Sequence, residues 1–276
     1  MTHATDYFSD ILLKDSQLNQ SERSKEKVMV NSTASPLTQP MDIQELAITL
    51  SAKNLNPTML TVDNLRSLGI IPEDWELSKQ PTLNQLQARL NFKNGVNIVA
   101  QQRNITFAEP LNAQNAKEVK APLVAKEFVA KFAKADYQTV SIAPKTIVSF
   151  GNETTTSPRQ FLIEKLIAPG PWREVGNSTP QASVNFVYQL EGCQLNMSVN
   201  EVRLRAQNSP DQTVPALLFS GSFNYRSEEG SNTTADLQGK IDRWSNNMES
   251  FREIVHQKFL GQTSEGGIFP SEVVPN

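Results

Sequence analysis

The sequence predicts an α+β protein in which two tandem copies of a strand–helix–strands–helix unit form an antiparallel sheet with the helices packed on one face. The main observation is an internal repeat. Trp75 and Trp172 each follow a proline closely, Gly95 and Gly192 each occupy a candidate hairpin turn, and both pairs are separated by 97 positions. A constant offset through several parts that can each vary in length favours duplication.

The chain length and composition agree with a folded body flanked by two tails. The 276 residues are 38% hydrophobic, which is enough to fill a core of this size. The two copies are predicted to span residues 42–136 and 137–261. Residues 1–41 are polar, charged and rich in Ser, Thr and Pro, so a flexible N-terminal arm is expected, and residues 262–276 are expected to form a flexible tail.

The elements of the first copy follow from short-range signals. Alternating Leu46, Ile48 and Leu50 predict a half-buried strand, Thr61 can cap a short helix that Gly69 ends, and Asn-Gly at Gly95 is a hairpin turn signal. The predicted elements are a strand over Ile43–Leu55, a helix between Thr61 and Gly69, strands over Leu83–Phe92 and Val96–Phe107, and a helix after Pro122.

The second copy shows the same order of signals. Ser157-Pro158 is a capping residue followed by the helix position that tolerates proline, and Glu191-Gly192 marks a tight turn. The predicted elements are a strand over Gln138–Phe150 interrupted at Pro144, a helix from Ser157 to Ile167, strands over Ala182–Leu190, Cys193–Arg205 and Leu217–Tyr225, and one helix over Ala235–Leu260. Apolar residues recur along that last helix at steps of three and four, which predicts a continuous packed seam containing Trp244.

Charge and cysteine usage narrow the function classes. The chain has 26 Lys and Arg residues and 29 Asp and Glu residues, which gives a formal net charge of −3. Nucleic-acid binding is therefore not favoured. Clustering of Arg89, Arg103, Arg203 and Arg205 would be the alternative that supplies an anion site. No stretch is apolar for long enough to predict a membrane span, and the single Cys193, expected in a strand, agrees with a reducing compartment, so we predict a cytoplasmic protein.

Catalytic and cofactor signatures are missing from the sequence. The two histidines, His3 and His256, and the lone Cys193 are far apart and give no zinc-ligand spacing, and no phosphate-binding loop occurs. No catalytic residue, cofactor or metal is therefore predicted. The balance favours a non-enzymatic protein.

The Pro/Trp turns are the one constellation in the body of the chain that suggests a ligand pocket. Trp75 lies among acidic residues and Trp172 precedes Arg173, so each copy places an indole beside charged groups after a helix. The alternative is that each tryptophan fills the gap where helix gives way to sheet, with the prolines fixing the turn.

A second candidate binding element lies in the N-terminal arm. Four apolar residues would share one side of a short helix, namely Tyr7, Phe8, Ile11 and Leu12. This pattern is typical of a segment that docks into a partner's groove, or that folds back on the protein's own body.

Two further runs carry a resemblance to a known family. Leu50 to Leu60 and Gly69 to Leu77, together with Ala168 to Trp172, resemble uncharacterised proteins that are widespread in cyanobacteria. The resemblance covers about residues 43–261 and implies a cytoplasmic protein of a photosynthetic bacterium, without implying an activity. The predicted topology also resembles the duplicated saddle of the TATA-box-binding-protein fold.

The sequence therefore favours a soluble, non-enzymatic binding or assembly protein that acts through contacts with a protein partner. The alternative is a small-ligand protein or enzyme with a pocket between the two copies. Nucleic-acid binding ranks third.

Overall fold

The computed structural model describes residues 43–112, 115, 118–150, 157–206, 209–226 and 233–261. They form a mixed α/β protein with one large nine-stranded antiparallel sheet, in the order β2-β3-β4-β5-β1-β6-β9-β8-β7. The α+β class predicted from the sequence is confirmed at this level. Residues 1–42 and 262–276, which include the predicted arm and tail, lie outside the described residues.

The strands and helices have the following bounds. The strands are β1 (Glu45–Ala52), β2 (Thr82–Leu83), β3 (Gln87–Asn91), β4 (Asn97–Gln101), β5 (Asn104–Pro110), β6 (Tyr137–Ser149), β7 (Ser183–Leu190), β8 (Cys193–Ala206) and β9 (Ser209–Arg226). The helices are α1 (Val62–Ser67), α2 (Ala121–Lys131), α3 (Pro158–Phe161), α4 (Thr234–Asp242) and α5 (Trp244–Glu253). Short 3₁₀ turns occupy Pro57–Met59 and Pro171–Glu174, and π-helical turns continue α3 over Leu162–Leu166 and α5 over Ile254–Phe259.

The described residues divide into two compact units. The smaller contains Ile147–Val184 and Val199–Leu218, and the larger contains residues 43–146, Asn185–Ser198 and residues 219–261. This division follows contacts in space rather than position in the chain. The predicted repeat boundaries are therefore not tested by it.

In the larger unit the core lies between the sheet and α2. Leu46, Ile48 and Leu50 of β1 are fully buried at alternate positions, as the sequence predicts. The ring of Phe107 on β5 packs against that of Phe128 on α2 with centroids 5.5 Å apart. Each such fully buried side chain contributes about 1.5–3 kcal/mol relative to exposure, so the sheet and α2 hold each other in place.

Several local predictions are confirmed. The Thr61 hydroxyl accepts a hydrogen bond from the Asn64 amide at 3.2 Å at the start of α1. Ser157 and Gln160 form a reciprocal capping box at the start of α3. Gly95 and Gly192 both adopt positive φ, 94° and 79°, in their hairpin turns. These signals depend on neighbours in sequence, so the sequence alone determines them.

The predicted strand Val96–Phe107 is wrong, because the structure divides it into two strands. β4 and β5 pair antiparallel, with Asn97 opposite Ala108, and the chain reverses at Gln102-Arg103. That turn has no Gly or Pro, which are the usual signals for a reversal.

The predicted interruption of β6 at Pro144 is also wrong. The strand continues through Pro144, which lies opposite Leu46 of β1. Gly221 next to it leaves room for the Phe251 ring, since a Cβ there would lie 2.7 Å from a ring carbon of Phe251 but at an ordinary contact distance of 3.5 Å from Pro144 Cγ.

The last helix is not continuous as predicted. It breaks at Arg243, whose ψ of −1° ends α4 before α5 begins at Trp244. Leu237, Ile241 and Val255 of the predicted seam are buried, whereas Trp244 is only half-buried.

None of the helices within the described residues is both long enough and apolar enough to cross a bilayer.

Candidate functional site

The Trp75 turn connects α1 to the sheet in the larger unit. Gly69 has a φ of 68° and ends α1, and the buried Ile70 and Ile71 lead into the turn. The indole of Trp75 is 9% exposed and meets the Phe92 ring edge-on with centroids 5.2 Å apart. The Arg66 guanidinium donates a hydrogen bond to the Trp75 carbonyl oxygen at 2.5 Å. The turn is thus fixed to the sheet on one side and to α1 on the other.

The N-terminus of α2 is held by a carboxylate from β5. Glu109 is fully buried, and its Oε2 accepts hydrogen bonds from the Lys120 amide at 2.6 Å and the Ala121 amide at 3.0 Å. Lys120 precedes the helix and has no side-chain cap of its own, so Glu109 satisfies amides that would otherwise be unpaired.

Opposing effects act on the pKa of Glu109. Burial raises the pKa of this carboxyl above its ordinary value, while the Ala121 and Lys120 amides and the Lys120 charge lower it, and burial dominates. The Lys120 Nζ lies 4.0 Å from Oε1, and Oε1 is buried without a hydrogen-bond partner. Burial therefore opposes the ionisation of this carboxyl at the base of α2, and its neighbours offset that effect only in part.

A cavity of about 920 Å³ lies between the Trp75 turn, the start of α2 and the start of α5. Its wall is mostly apolar and is made by Ile70, Ile71, Pro72, Trp75, Val119, Leu123, Val124 and Trp244. Charged residues also contribute, namely Arg66, Glu73, Glu118, Lys120 and Glu127. Leu123 is 62% exposed, so the apolar surface extends out of the cavity.

Only one of the two tryptophans that the sequence singled out lines the cavity. Trp75 lines the cavity, whereas Trp172 and Arg173 belong to the smaller unit and are not among its lining residues. Trp172 is 37% exposed and Trp75 is 9% exposed, so only Trp75 is as buried as a residue that fills the gap between helix and sheet.

The Arg173 side chain has a structural role in the smaller unit. Its guanidinium donates to the carbonyl oxygens of Ile163 at 2.6 Å and Ile167 at 3.3 Å, and its Cζ lies 5.3 Å from the Trp172 ring centroid. Arg66 and Arg173 thus both tie a helix to a tryptophan turn through backbone oxygens.

The remaining predicted groups do not assemble into a site within the described residues. Arg103 lines a depression of about 570 Å³ together with several Asn and Gln residues, while Arg89 and Arg203 are exposed and are not among its lining residues. The Arg205 side chain and the apolar residues Tyr7, Phe8, Ile11 and Leu12 lie outside what the structure describes. His256 and Cys193 are half-buried. Across the described ranges, Asp, Glu, His and Cys form no group of three or more that would hold a metal.

Sequence reasoning missed two residues of the cavity wall and the carboxylate that holds the start of α2 beside it. The helical period places Trp244 in the packed seam, because the break at Arg243 carries no Gly or Pro signal. Leu123 carried a usable signal, since Val124 and Phe128 define the buried face of α2 and an adjacent leucine falls off that face. No local sequence signal indicates the Glu109 cap, because Glu109 Oε2 accepts from the amide of Lys120, which is eleven positions away in the chain.

Comparison with known proteins adds little. No protein-family model matches the chain, and no curated protein matches it. Among solved structures, Methanococcus jannaschii TBP is similar to it at 11% identity, with a TM-score of 0.25, over 75% of this chain and 99% of that chain. A TM-score this low does not establish a shared fold, and the sequence resemblance to cyanobacterial proteins gains no support from these matches.

Proposed function

We propose that this protein is a non-enzymatic binding protein and that a protein partner inserts apolar side chains into the cavity beside Trp75. The observation that carries the proposal is a mostly apolar cavity of about 920 Å³ whose apolar surface continues outward onto the exposed Leu123. A ligand confined to the cavity leaves the outward-facing part of Leu123 in water. A polypeptide that anchors in the cavity and crosses α2 covers both.

The residue types around the cavity suit a protein interface. Tryptophan and arginine are enriched among the residues that dominate binding energy, and Trp244 and Arg66 both line the wall. The buried Trp75 and the two anchors of its turn give that wall a fixed shape before binding, which lowers the entropy cost of association.

The charge at the cavity favours a basic partner segment. Glu73, Glu118 and Glu127 are exposed, whereas Arg66 and Lys120 are partly buried. Lys or Arg residues flanking an apolar anchor would therefore meet complementary charge. Because exposed charges are screened by salt, binding is expected to weaken as ionic strength rises.

Affinity capture from the producing cells tests the proposal with a matched pair of variants. Leu123→Glu places a charge on the apolar surface, and Val175→Glu makes the same change at a residue that is 75% exposed in the smaller unit. Both side chains point mainly into solvent, so both variants should keep the wild-type melting curve. Partners retained by wild type and Val175→Glu but lost with Leu123→Glu support the site, and equal recovery with all three proteins contradicts it.

A small amphipathic ligand is the second candidate for the same cavity. The Arg66 Nε is buried and has no hydrogen-bond partner, so it would donate to an acidic or carbonyl group on a bound molecule. A thermal-shift screen of metabolites is the test. A stabilisation that disappears in Trp244→Ala and persists in Val175→Glu would favour this candidate over the protein partner.

We also propose that the N-terminal arm, residues 1–41, adds a tethered contact through Tyr7, Phe8, Ile11 and Leu12. The support is their apolar spacing in an otherwise polar segment. Deleting residues 1–41 is expected to abolish or weaken partner capture without changing the melting curve. Undiminished capture by the truncated protein would remove the arm from the proposal.

For the fold, we propose that residues 42–136 and 137–261 are tandem copies with a topology like that of the TATA-box-binding-protein family. The strand order supports this, because it places β1 and β6 at the centre and follows them with β5-β4-β3 on one side and β9-β8-β7 on the other. The two polypeptides expressed separately should associate when mixed. Failure of the separate chains to associate, while a nicked full-length chain stays folded, would contradict the boundaries.

The resemblance to cyanobacterial proteins and the lone cysteine support a cytoplasmic location in a photosynthetic bacterium. Fractionation of producing cells would test it, with recovery in the membrane or secreted fraction as the contrary result.

A further inference from the structure

We propose that two copies of this chain associate through β7, whose outer edge pairs antiparallel with the same edge of the second copy. The proposal concerns a surface distinct from the cavity, and it does not depend on the proposed function.

The two ends of the sheet differ in length. At one end β2 has only two residues, Thr82–Leu83, whereas β7 at the other end has eight, Ser183–Leu190. No described strand lies beyond β7 in the sheet order. An edge strand presents unpaired amides and carbonyls along its outer side, and a longer edge presents more of them to another chain.

β7 lacks the charged residues, the proline and the very short length that commonly prevent strand pairing at an edge. Its sequence, SVNFVYQL, contains no charged residue, no proline and no glycine. Natural edge strands are commonly protected by lysine, proline, a bulge or very short length. Val187 is 62% exposed and Leu190 is 40% exposed, so apolar side chains as well as backbone groups are accessible there.

The residue pattern of β7 is complementary to itself. A twofold axis perpendicular to the sheet keeps the matching faces of both copies on the same side, so opposed residues must share a face. With Val187 opposite Val187 of the second copy, Phe186 opposes Tyr188, Asn185 opposes Gln189 and Val184 opposes Leu190. In this register aromatic residues face aromatic residues, polar residues face polar residues, and aliphatic residues face aliphatic residues.

Charge favours a second copy as the occupant. A strand with charged residues would place like charges opposite one another in self-pairing, which is destabilising, and β7 has none to oppose. The helix-side residues are also already supported, because the Phe186 ring packs against Phe259 with centroids 5.4 Å apart. The edge can therefore pair without rearranging its own core.

The size of this contact determines the expected affinity. A single pair of eight-residue strands falls at the low end of specific interfaces, below about 1,200 Å² of total buried area. We expect a dimer with a dissociation constant in the micromolar range, about 1–100 μM.

Sedimentation velocity of the full chain across this concentration range is the first test, with Val187→Lys as the variant and Val175→Lys as the control. The lysine places like charges opposite each other at the twofold axis, so its dissociation constant should rise at least about tenfold. The Val175 control should behave like wild type. A wild-type protein that stays monomeric at several hundred micromolar overturns the proposal, as does a dimer unaffected by Val187→Lys.

A cross-linking test checks the register and does not require the lysine variant to be well folded. Opposed residues in an antiparallel pair have Cβ atoms about 4.5–5.5 Å apart, close to the distance a disulfide needs. In a Cys193→Ser background, Val187→Cys should form a covalent dimer on mild oxidation, and Val175→Cys should not. Equal cross-linking of the two variants would show non-specific contact and overturn the proposed pairing.

Discussion

Replacement of Glu109 tests how the base of α2, one wall of the cavity, is held. In Glu109→Ala the amides of Lys120 and Ala121 lose their acceptor, and the Ala121 amide is buried. An unsatisfied buried donor costs about 1–3 kcal/mol. Water can replace the lost acceptor at the more accessible Lys120 amide but not at the buried Ala121 amide. The free energy of unfolding should therefore fall by about 3 kcal/mol. Glu109→Gln keeps an acceptor oxygen for the two amides and cannot ionise, so its loss of stability should be about 1 kcal/mol or less.

The pH dependence of the same pair gives an independent check. Because burial raises the pKa of Glu109 in the folded protein above its ordinary value of 4.5, the protonated form favours folding. The stabilisation is fully present below pH 4.5 and is lost as the pH rises through the folded pKa. Wild type should therefore lose stability relative to Glu109→Gln over that interval and show a constant difference above it.

Urea unfolding monitored by circular dichroism at a series of pH values measures both effects. The reasoning is refuted if Glu109→Ala is within about 0.5 kcal/mol of wild type, the range of ordinary surface substitutions. It is also refuted if wild type gains stability relative to Glu109→Gln as the pH rises above 4.5.

Five further substitutions test individual turns and helices by thermal or urea unfolding. Arg66→Ala removes the hydrogen bond to the Trp75 carbonyl and should cost about 1–3 kcal/mol; no measurable loss would remove Arg66 as an anchor. Trp75→Ala should lower the free energy of unfolding by about 3–5 kcal/mol, and Trp172→Ala should lower it by less because Trp172 is more exposed. Equal losses would contradict the different burial of the two tryptophans. Gly239→Ala in α4, where a Cβ would meet nothing within 4 Å, should raise the free energy of unfolding by up to about 1 kcal/mol. Gly95→Ala should lower it, because Gly95 has a φ of 94°. Changes of the same sign for both variants would contradict the backbone conformations of these two glycines.

Features set by neighbouring residues were predictable from the sequence. The cap at Thr61, the capping box at Ser157 and the glycine turns at Gly95 and Gly192 each depend on a few consecutive residues, and all are present. The turn between β4 and β5 escaped detection, because Gln102-Arg103 lacks the residues that usually mark a reversal.

Features that depend on distant segments were not predictable in the same way. The cavity is built from α1, the Trp75 turn, the start of α2 and Trp244 on α5, which no local pattern brings together. The sequence does single out Trp75, which lies in the cavity wall. The sequence pattern treats Trp172 in the same way, but a similar local sequence does not impose equal burial, and Trp172 is 37% exposed where Trp75 is 9% exposed.

Site-specific photo-cross-linking measures most directly whether the cavity binds a protein partner. A benzophenone amino acid is placed at position 123 in one protein and at position 175 in another, since Leu123 and Val175 are both exposed and only the first lines the cavity. The proposed function predicts a discrete cross-linked partner from position 123 alone, attached through an apolar segment with flanking Lys or Arg. No adduct at position 123, or the same adducts from both positions, would contradict it.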